Sequence, residues 1–143
     1  MLKVASIYAT IMTLAVIGTV TEAKHQRDAS GLSLRQLYRL HRFPAVGTCF
    51  VSRITRVTSR FGGVPSKNDG TVVIFANGLQ QVSYDLVPQV LRSRAADKVT
   101  SCVFSLPTNC PPGDTRGVYY RTYDWRTREN WTLSDSQHEC GGA

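Results

Sequence analysis

The sequence predicts a mainly β domain of five to seven strands, a small open barrel of the OB or SH3-like kind that is stapled by disulfides and preceded by one short helix. From residue 48 onward the chain is rich in Val, Ile, Thr and aromatic residues, which favour strands. Gly, Pro, Asn and Asp cluster between these runs, as turns require. The 143 residues include four cysteines, which in a small exported domain indicate a disulfide framework. We assign residues 1–23 to a signal peptide, 24–44 to a basic N-terminal arm or short helix, and 45–143 to the β domain.

The N-terminus has the organisation of an export signal. Lys3 gives a positive start, the run from Val4 to Val20 carries no charge, and Thr21-Glu22-Ala23 offers small residues for cleavage. An uncleaved membrane anchor is the alternative, because the apolar run reaches the lower limit of length for a spanning helix. We favour cleavage, after which the chain begins near Lys24 and keeps its formal charge of +7.

A short amphipathic helix is predicted in the basic arm. The residues at helical spacing on one face are Leu34, Leu37, Tyr38 and His41. Arginines lie between them, Ser33 is a candidate N-cap and Pro44 a candidate stop. A helix of this kind can lie on a membrane or in a partner's groove. We favour the alternative that it packs against its own domain or forms a loosely held arm.

The first strand is expected to be long and bent. The stretch TCFVSRITRVTSRF is rich in β-branched residues, but Val51, Ile54 and Val57 recur every three positions instead of every two. This spacing indicates a bulge or a strong bend. Such a bend lets one strand serve two halves of a small barrel, and FGGVPSKNDG then supplies a surface loop.

The stretch TVVIFANGLQQVSYD predicts a hairpin. Asn77-Gly78 between two β-rich runs is the composition of a two-residue type I′ turn, in which both central residues have positive φ. This register places Phe75 opposite Gln80 and Val73 opposite Val82. The predicted core face of the hairpin consists of Val73, Phe75, Val82 and Tyr84.

Three further elements are predicted toward the C-terminus. Asp85 is a candidate cap for a helical turn over residues 88–91. The stretch KVTSCVFSL predicts a strand with Cys102, Phe104 and Leu106 on one face. VYYRTYDW and NWTLS are then expected to pair as a second hairpin across RTRE.

The second hairpin carries the candidate binding surface. Its two faces are Tyr119, Arg121, Tyr123 and Trp125 on one side and Val118, Tyr120 and Thr122 on the other. One face must pack on the core, and the remaining rings and arginines form a patch that can stack on sugars or bases and neutralise anions. Cross-strand packing of arginine on aromatic rings without any ligand is the alternative. The candidate ligand-binding residues are Arg116, Tyr119, Arg121, Tyr123, Trp125, Arg126, Arg128 and Trp131.

The cysteines are predicted to form two disulfides, Cys49–Cys102 and Cys110–Cys140. Cys49 begins the first long strand and Cys102 lies in a later one, so their bridge would join neighbouring strands or two sides of the barrel. Cys110 precedes the last hairpin and Cys140 follows it, so their bridge would clamp a chain end that otherwise frays. A Cys102–Cys110 link is the main alternative, because a strand followed by a proline-rich turn can fold back.

The sequence gives little support to catalysis. It contains no G-x-S-x-G elbow, no phosphate-binding glycine loop and no H-E-x-x-H. The candidate acids and bases, which have no recognisable paired spacing, are Asp97, Asp114, Asp124, Asp135 and His138. His138-Glu139-Cys140 brings two metal-ligand types together, but without a C-x-x-C pair it does not predict a metal site. No cofactor is predicted.

The tail NWTLSDSQHECGGA, taken with CPPGDTRG upstream, resembles the C-terminal part of small exported bacterial proteins of uncharacterised function. The shared pattern is W-T-L-x-D-x-x-H-x-C-G-G-A, and a fainter similarity extends from Gly70 to Pro107. The resemblance implies bacterial origin, a periplasmic or secreted location and use of the tail cysteine. It implies no activity.

The formal charge of +7 favours encounters with anionic partners such as polysaccharide, phospholipid headgroups, cell-wall polymer or an acidic protein; charge for solubility alone is the alternative. We expect a non-enzymatic exported module that binds an anionic envelope polymer or an acidic protein. Two alternatives stay open: an inhibitor of a hydrolase such as a lysozyme or protease, with the loop around Arg116 as the presenting segment, and a small cell-wall or polysaccharide hydrolase. Nucleic acid is not expected as a partner, nor is a stable membrane span after signal cleavage.

Overall fold

The computed structural model describes residues 31–142. The predicted signal peptide and the first part of the basic arm lie outside the described residues. The strands are β1 (Cys49–Thr58), β2 (Thr71–Phe75), β3 (Gln80–Ser83), β4 (Lys98–Ser105), β5 (Tyr119–Asp124) and β6 (Glu129–Ser134), and the helices are α1 (Leu34–Arg39) and α2 (Pro88–Leu91). Within 31–142, no helix is long and apolar enough to cross a bilayer.

The strands form a barrel in the order β1-β2-β3-β6-β5-β4, with β4 returning to β1. This confirms the predicted mainly β, disulfide-stapled barrel with a short N-terminal helix. The barrel is closed, where an open one was expected, because Val82 of β3 pairs with Ser134 of β6. Two three-stranded meanders therefore meet along both of their edges, which would otherwise present unpaired backbone groups.

β1 is the long bent strand that the sequence predicts. It pairs with β4 up to Arg53 and with β2 from Ile54 onward, with a register shift between Ile54 and Arg56. Phe50 before the shift and Ile54 at it are both buried in the core. One strand therefore serves both halves of the barrel, as its three-residue apolar spacing indicated.

The first hairpin differs from the predicted two-residue turn. The Gly78 N–H donates to the Phe75 carbonyl (3.0 Å) and the Phe75 N–H to the Leu79 carbonyl (2.9 Å), so the loop has three residues. Such a loop needs a left-handed residue only at its end, and Gly78 takes that place with φ 90°. The pairing consequently moves by one residue, and Val73 faces Gln81.

The new register changes the core. Val73 and Phe75 are buried in the core as predicted. Val82 is also buried, but it pairs with Val72 outside the core cluster, while Tyr84 is 49% exposed and Gln81 is fully buried. A shift of one residue moves side chains to the opposite face of a strand, and this explains why the prediction for Tyr84 was wrong.

Gln81 has hydrogen-bond partners at both ends of its amide. Its Oε1 accepts from Trp131 Nε1 (2.8 Å) and Thr122 Oγ1 (3.0 Å), and its Nε2 donates to the Tyr120 carbonyl (2.9 Å). Ser101 Oγ lies 2.8 Å from Thr122 Oγ1 and extends this network toward β4. Full pairing is the condition under which a polar side chain can be buried.

α1 forms where the amphipathic pattern predicts it and packs on its own domain. Ser33 is the N-cap and takes part in a reciprocal capping box, while Leu34 and Leu37 are buried in the barrel core. Pro44 is not what ends the helix. The chain leaves it at His41, which has φ 50°.

Two details of the central segment correct the prediction. α2 covers the predicted residues, but Val87 is its N-cap and makes no side-chain bond there, so Asp85 does not cap it. In β4 the outward face carries Phe104, which is 50% exposed, and the core is filled by Val99 and Val103. Cys102 and Phe104 share the outward face as predicted, but Leu106 packs against the core, beyond the register shift between Val103 and Ser105.

Both predicted disulfides are confirmed. Cys49–Cys102 joins directly opposed positions of β1 and β4, and Cys110–Cys140 joins the loop before β5 to the tail after β6. Disulfides persist in oxidising compartments. The pairing therefore supports a location outside the reducing cytoplasm.

Candidate functional site

The outer face of β4, β5 and β6 carries a groove of about 480 Å³, the aromatic groove. The residues that line it are Thr100, Cys102, Arg121, Tyr123, Trp125, Asn130 and Thr132. Tyr123 and Trp125 meet edge to face, with ring centroids 5.2 Å apart. Trp125 Nε1 donates to Thr100 Oγ1 (3.0 Å), so the indole is held across β5 and β4.

Strand alternation creates this surface. In β5, Tyr120 and Thr122 point into the core and are fully buried, so Arg121 and Tyr123 must point outward. Arg121 lies opposite Cys102 on one side and Thr132 on the other, and Tyr123 lies between Thr100 and Asn130. The predicted division of β5 into two faces is therefore correct, and the face with Tyr123 is the outer one.

The groove is positively charged. Arg121 lies over the Phe104 ring, 4.6 Å from its centroid, a contact that orients a guanidinium without neutralising it. None of the described residues that line the groove is acidic. Beyond the Trp125 end, where the backbone N–H of Trp125 donates to the Lys98 carbonyl (3.1 Å), Arg53 is exposed on β1 opposite Lys98.

Four of the eight candidate ligand-binding residues share this face: Tyr119, Arg121, Tyr123 and Trp125. Tyr119 is 37% exposed and lies on the same face of β5, beyond the groove lining. Trp131 belongs to the core instead, where it is 4% exposed and donates to Gln81. It is therefore not available to a surface ligand.

The other three arginines among the candidates lie outside the aromatic groove. Arg126 binds the buried Asp97 through two hydrogen bonds of 2.7 and 2.8 Å. Arg116 lies near the tail and binds Asp114 (2.7 Å), which lowers the pKa of that carboxyl. Arg128 occupies the turn between β5 and β6 with φ 60°.

Sequence reasoning missed part of the groove. Thr100 comes from β4, and Asn130 and Thr132 from β6, on either side of β5. Alternation in KVTSCVFSL predicted that Phe104 and Cys102 share one face of β4. The pairing of the second hairpin also implies that Asn130 lies near Tyr123, but this inference was not made. Combining the two faces would have identified these residues as one surface.

The candidate acids and bases serve the fold. The Asp135 Oδ1 accepts from the N–H groups of Gly117 (2.9 Å) and Val118 (3.1 Å), and its Oδ2 accepts from the Tyr38 hydroxyl (3.0 Å). Burial raises the pKa of Asp135 and of Tyr38. Asp124 is fully buried and accepts from Ser93 Oγ (2.7 Å).

The remaining candidate, His138, is exposed in the tail. From Gly31 to Gly142, no three His, Cys, Asp or Glu side chains are grouped so that they could hold a metal ion. None of the five candidate acids and bases lines the aromatic groove. The chemistry that the groove offers is therefore stacking, hydrogen bonding and charge pairing.

The Asp97–Arg126 pair predicts an acid-sensitive contribution to stability. Hydrogen bonds from Arg126 lower the pKa of Asp97 below its unfolded value of about 4. A lowered pKa in the folded state means that the contribution is present above about pH 4 and is lost as the pH falls through the folded pKa. We expect the urea midpoint to fall between pH 5 and pH 3, and the fall to be smaller in Asp97→Asn.

The control for this measurement is Asp85→Asn, which changes an exposed aspartate that makes no ion pair among the described residues. It should keep the wild-type dependence on pH. An Asp97→Asn protein with the full wild-type slope would contradict the prediction and assign the acid sensitivity to other carboxylates.

Comparison with known proteins finds no match: no family model, no curated protein and no solved structure is significantly similar to the chain. Small barrels host many unrelated functions, so function has to be argued from the chemistry of a site.

Proposed function

We propose that the protein is an exported, non-enzymatic binding module whose aromatic groove holds a stretch of an anionic polysaccharide of the cell envelope. The observation that carries the proposal is the Tyr123–Trp125 pair beside Arg121, which makes no ion pair within residues 31–142, in a groove that no carboxylate of these residues lines. A location in the periplasm or outside the cell belongs to the proposal and is supported by the two disulfides.

The groove offers each kind of contact that an acidic sugar polymer needs. The exposed indole of Trp125 and the ring of Tyr123 present flat apolar surfaces on which a sugar ring can stack. Arg121 can pair in bidentate fashion with a carboxylate or phosphate. The side chains of Asn130 and Thr132 donate and accept hydrogen bonds and so match sugar hydroxyls.

The size and charge of the groove fit the same ligand. Its volume of about 480 Å³ lies within the range of small-ligand sites. Arg53 extends the positive charge beyond the Trp125 end, so a polymer chain that leaves the groove there meets a further cation. Long-range attraction of this kind raises the rate of encounter with an anionic polymer.

The test is calorimetric titration with polygalacturonate at several salt concentrations, with dextran as the neutral polymer. Wild type should bind polygalacturonate, and the binding should weaken with salt. Trp125→Ala should weaken the binding about tenfold, since stacking on one aromatic ring is of that order. Arg121→Gln should weaken the binding and flatten its salt dependence.

The matched control is Arg128→Gln, because Arg128 is exposed, makes no ion pair among residues 31–142 and lies outside the groove. Arg126 is unsuitable, since its loss would leave the buried Asp97 without its main partner. Circular dichroism should show an intact fold in each variant. Binding that is unaffected by Trp125→Ala and Arg121→Gln would contradict the proposal.

The same preparations distinguish the alternatives. Release of reducing ends from an envelope polysaccharide would identify a hydrolase. Equimolar capture of a lysozyme or a protease with loss of its activity would identify an inhibitor. Either result would replace the binding proposal.

A further inference from the structure

The loop between β1 and β2, residues 59–70, exposes apolar side chains at its tip. Phe61 is 75% exposed and Val64 is 85% exposed. The two lie three residues apart in RFGGV, and the loop is far in the fold from the start of β1, where the Cys49–Cys102 disulfide lies. Exposed apolar side chains that are grouped in this way indicate an interaction surface.

The base of the loop is a hydrogen-bonded frame. Thr58 Oγ1 and the Ser59 N–H both donate to the Gly63 carbonyl (2.8 and 2.7 Å). Ser59 Oγ accepts from the N–H groups of Phe61 (3.3 Å) and Gly63 (3.1 Å). Thr58 and Ser59 are buried. The backbone that carries Phe61 is therefore fixed by hydrogen bonds to the end of β1, and the Phe61 ring stays exposed to solvent.

The second half of the loop is tied down in the same way. The N–H and the Nε of Arg60 both donate to the Asp69 carbonyl at 3.1 Å, and Ser66 forms a bridge with Gly70. Gly70 has φ 67°, and a Cβ there would lie 2.2 Å from the Ser83 carbonyl oxygen of β3. Only glycine fits this contact, which holds the end of the loop against the barrel.

Positive charge surrounds the apolar tip. The Arg60 guanidinium lies 4.1 Å from the Tyr84 ring centroid and 5.2 Å from that of Phe61, and it makes no ion pair among the described residues. Lys67 is exposed on the same loop. The one carboxylate of residues 59–70, Asp69, accepts from Ser66 Oγ (2.7 Å). The loop thus combines apolar side chains with a net positive charge.

We propose that residues 59–70 dock on the surface of a bilayer that contains anionic phospholipids. Phe61 and Val64 enter the interface below the headgroups, and Arg60 and Lys67 lie at the level of the phosphates. The strength of reversible membrane binding depends on the apolar area that is buried and on the attraction to anionic lipid. The proposal does not depend on the aromatic groove.

The small apolar area of the loop favours lipid over a protein partner. A stable protein interface buries about 800 Å² on each side, whereas the two exposed apolar side chains of this loop provide a small fraction of that area. A fluid bilayer needs no complementary pocket and adapts to such a loop. The net charge of +7 matches a surface that carries phosphatidylglycerol.

The test is cosedimentation of the exported protein with vesicles of equal parts phosphatidylglycerol and phosphatidylcholine, and with vesicles of phosphatidylcholine alone. Wild type should partition to the anionic vesicles and less to the neutral ones. The double variant Phe61→Ser with Val64→Ser should lose about tenfold or more in partition coefficient. Arg60→Gln with Lys67→Gln should reduce the part of the binding that salt suppresses.

Val46→Ser is the matched control, because Val46 is 60% exposed and precedes β1 at the end opposite to the loop; its partitioning should equal that of wild type. Phe61→Trp should add an emission component that moves to shorter wavelength with anionic vesicles and is quenched by brominated lipid. Full vesicle binding by the double variant, or no binding by wild type, would overturn the proposal. Capture of a protein that needs Phe61 in the absence of lipid would assign the loop to a protein partner instead.

Discussion

Complete reduction of the two disulfides is expected to unfold the barrel or to lower its melting temperature sharply. The bridges span sequence separations of 53 and 30 residues. Loop-closure entropy assigns about 4 kcal/mol to the first and about 3 to 4 kcal/mol to the second. Small domains unfold with a free energy of about 5 to 15 kcal/mol, so the two bridges together are comparable to the whole stability of this domain.

Paired serine variants separate the two contributions. Cys49→Ser with Cys102→Ser should cost more, because this bridge closes the longer loop and joins β1 to β4. Cys110→Ser with Cys140→Ser should release the tail, where the Cys140 N–H otherwise donates to the Arg116 carbonyl (3.1 Å). Thermal melts by circular dichroism, with thiol titration to verify the reduction, measure both effects. A fully reduced protein with an unchanged melting temperature would refute the expectation.

Replacement of Gln81 by leucine is expected to destabilise the protein by about 2 to 4 kcal/mol, although the two side chains are similar in size. Leucine leaves the indole N–H of Trp131 without its partner in a core from which water is excluded, and an unsatisfied buried group costs about 1 to 3 kcal/mol. The Tyr120 carbonyl also loses a donor. Thr122 keeps its contact with Ser101, which limits the total.

Gln80→Leu is the control, since Gln80 is the exposed neighbour of Gln81 in β3 and surface substitutions usually change stability by less than about 0.5 kcal/mol. Urea unfolding at pH 7 gives the free energies of both variants. Equal stability of Gln81→Leu and wild type would show that the polar network contributes nothing to the free energy of unfolding.

The elements that local sequence specifies were predicted. The three-residue apolar spacing predicted the bulge in β1, and Ser33 predicted the start of α1. The positions of the cysteines predicted both disulfides. Each of these features depends on residues close together in the chain or on a simple pairing choice.

The register of the first hairpin could not be predicted in the same way. Asn77-Gly78 is compatible with a loop of two or of three residues. The choice rests on which residue of β3 enters the core, and Gln81 can do so only because Trp131, 50 positions away in the chain, supplies an indole N–H. Without knowledge of that distant partner, the alternation of apolar and polar residues predicts that Tyr84 is buried instead of Gln81.

The candidate site was predicted in part for a related reason. Alternation along β5 assigns Arg121 and Tyr123 to one face, but it says nothing of which arginines are already bound. Arg126 donates hydrogen bonds to Asp97, which lies 29 positions earlier in the chain. Ion pairs of this kind become visible only when the strands are brought together.

The single backbone bridge between β3 and β6 makes their junction the seam of the barrel. Gln81 crosses that seam with its side-chain amide, which donates to the Tyr120 carbonyl of β5 and lies 3.5 Å from the Leu133 carbonyl of β6. One side chain thus replaces ladder bonds that the main chain does not make. Local opening begins where few backbone bonds hold two elements together, so the two meanders would separate here first, while β1 and β4 stay joined by their ladder and by a covalent bond.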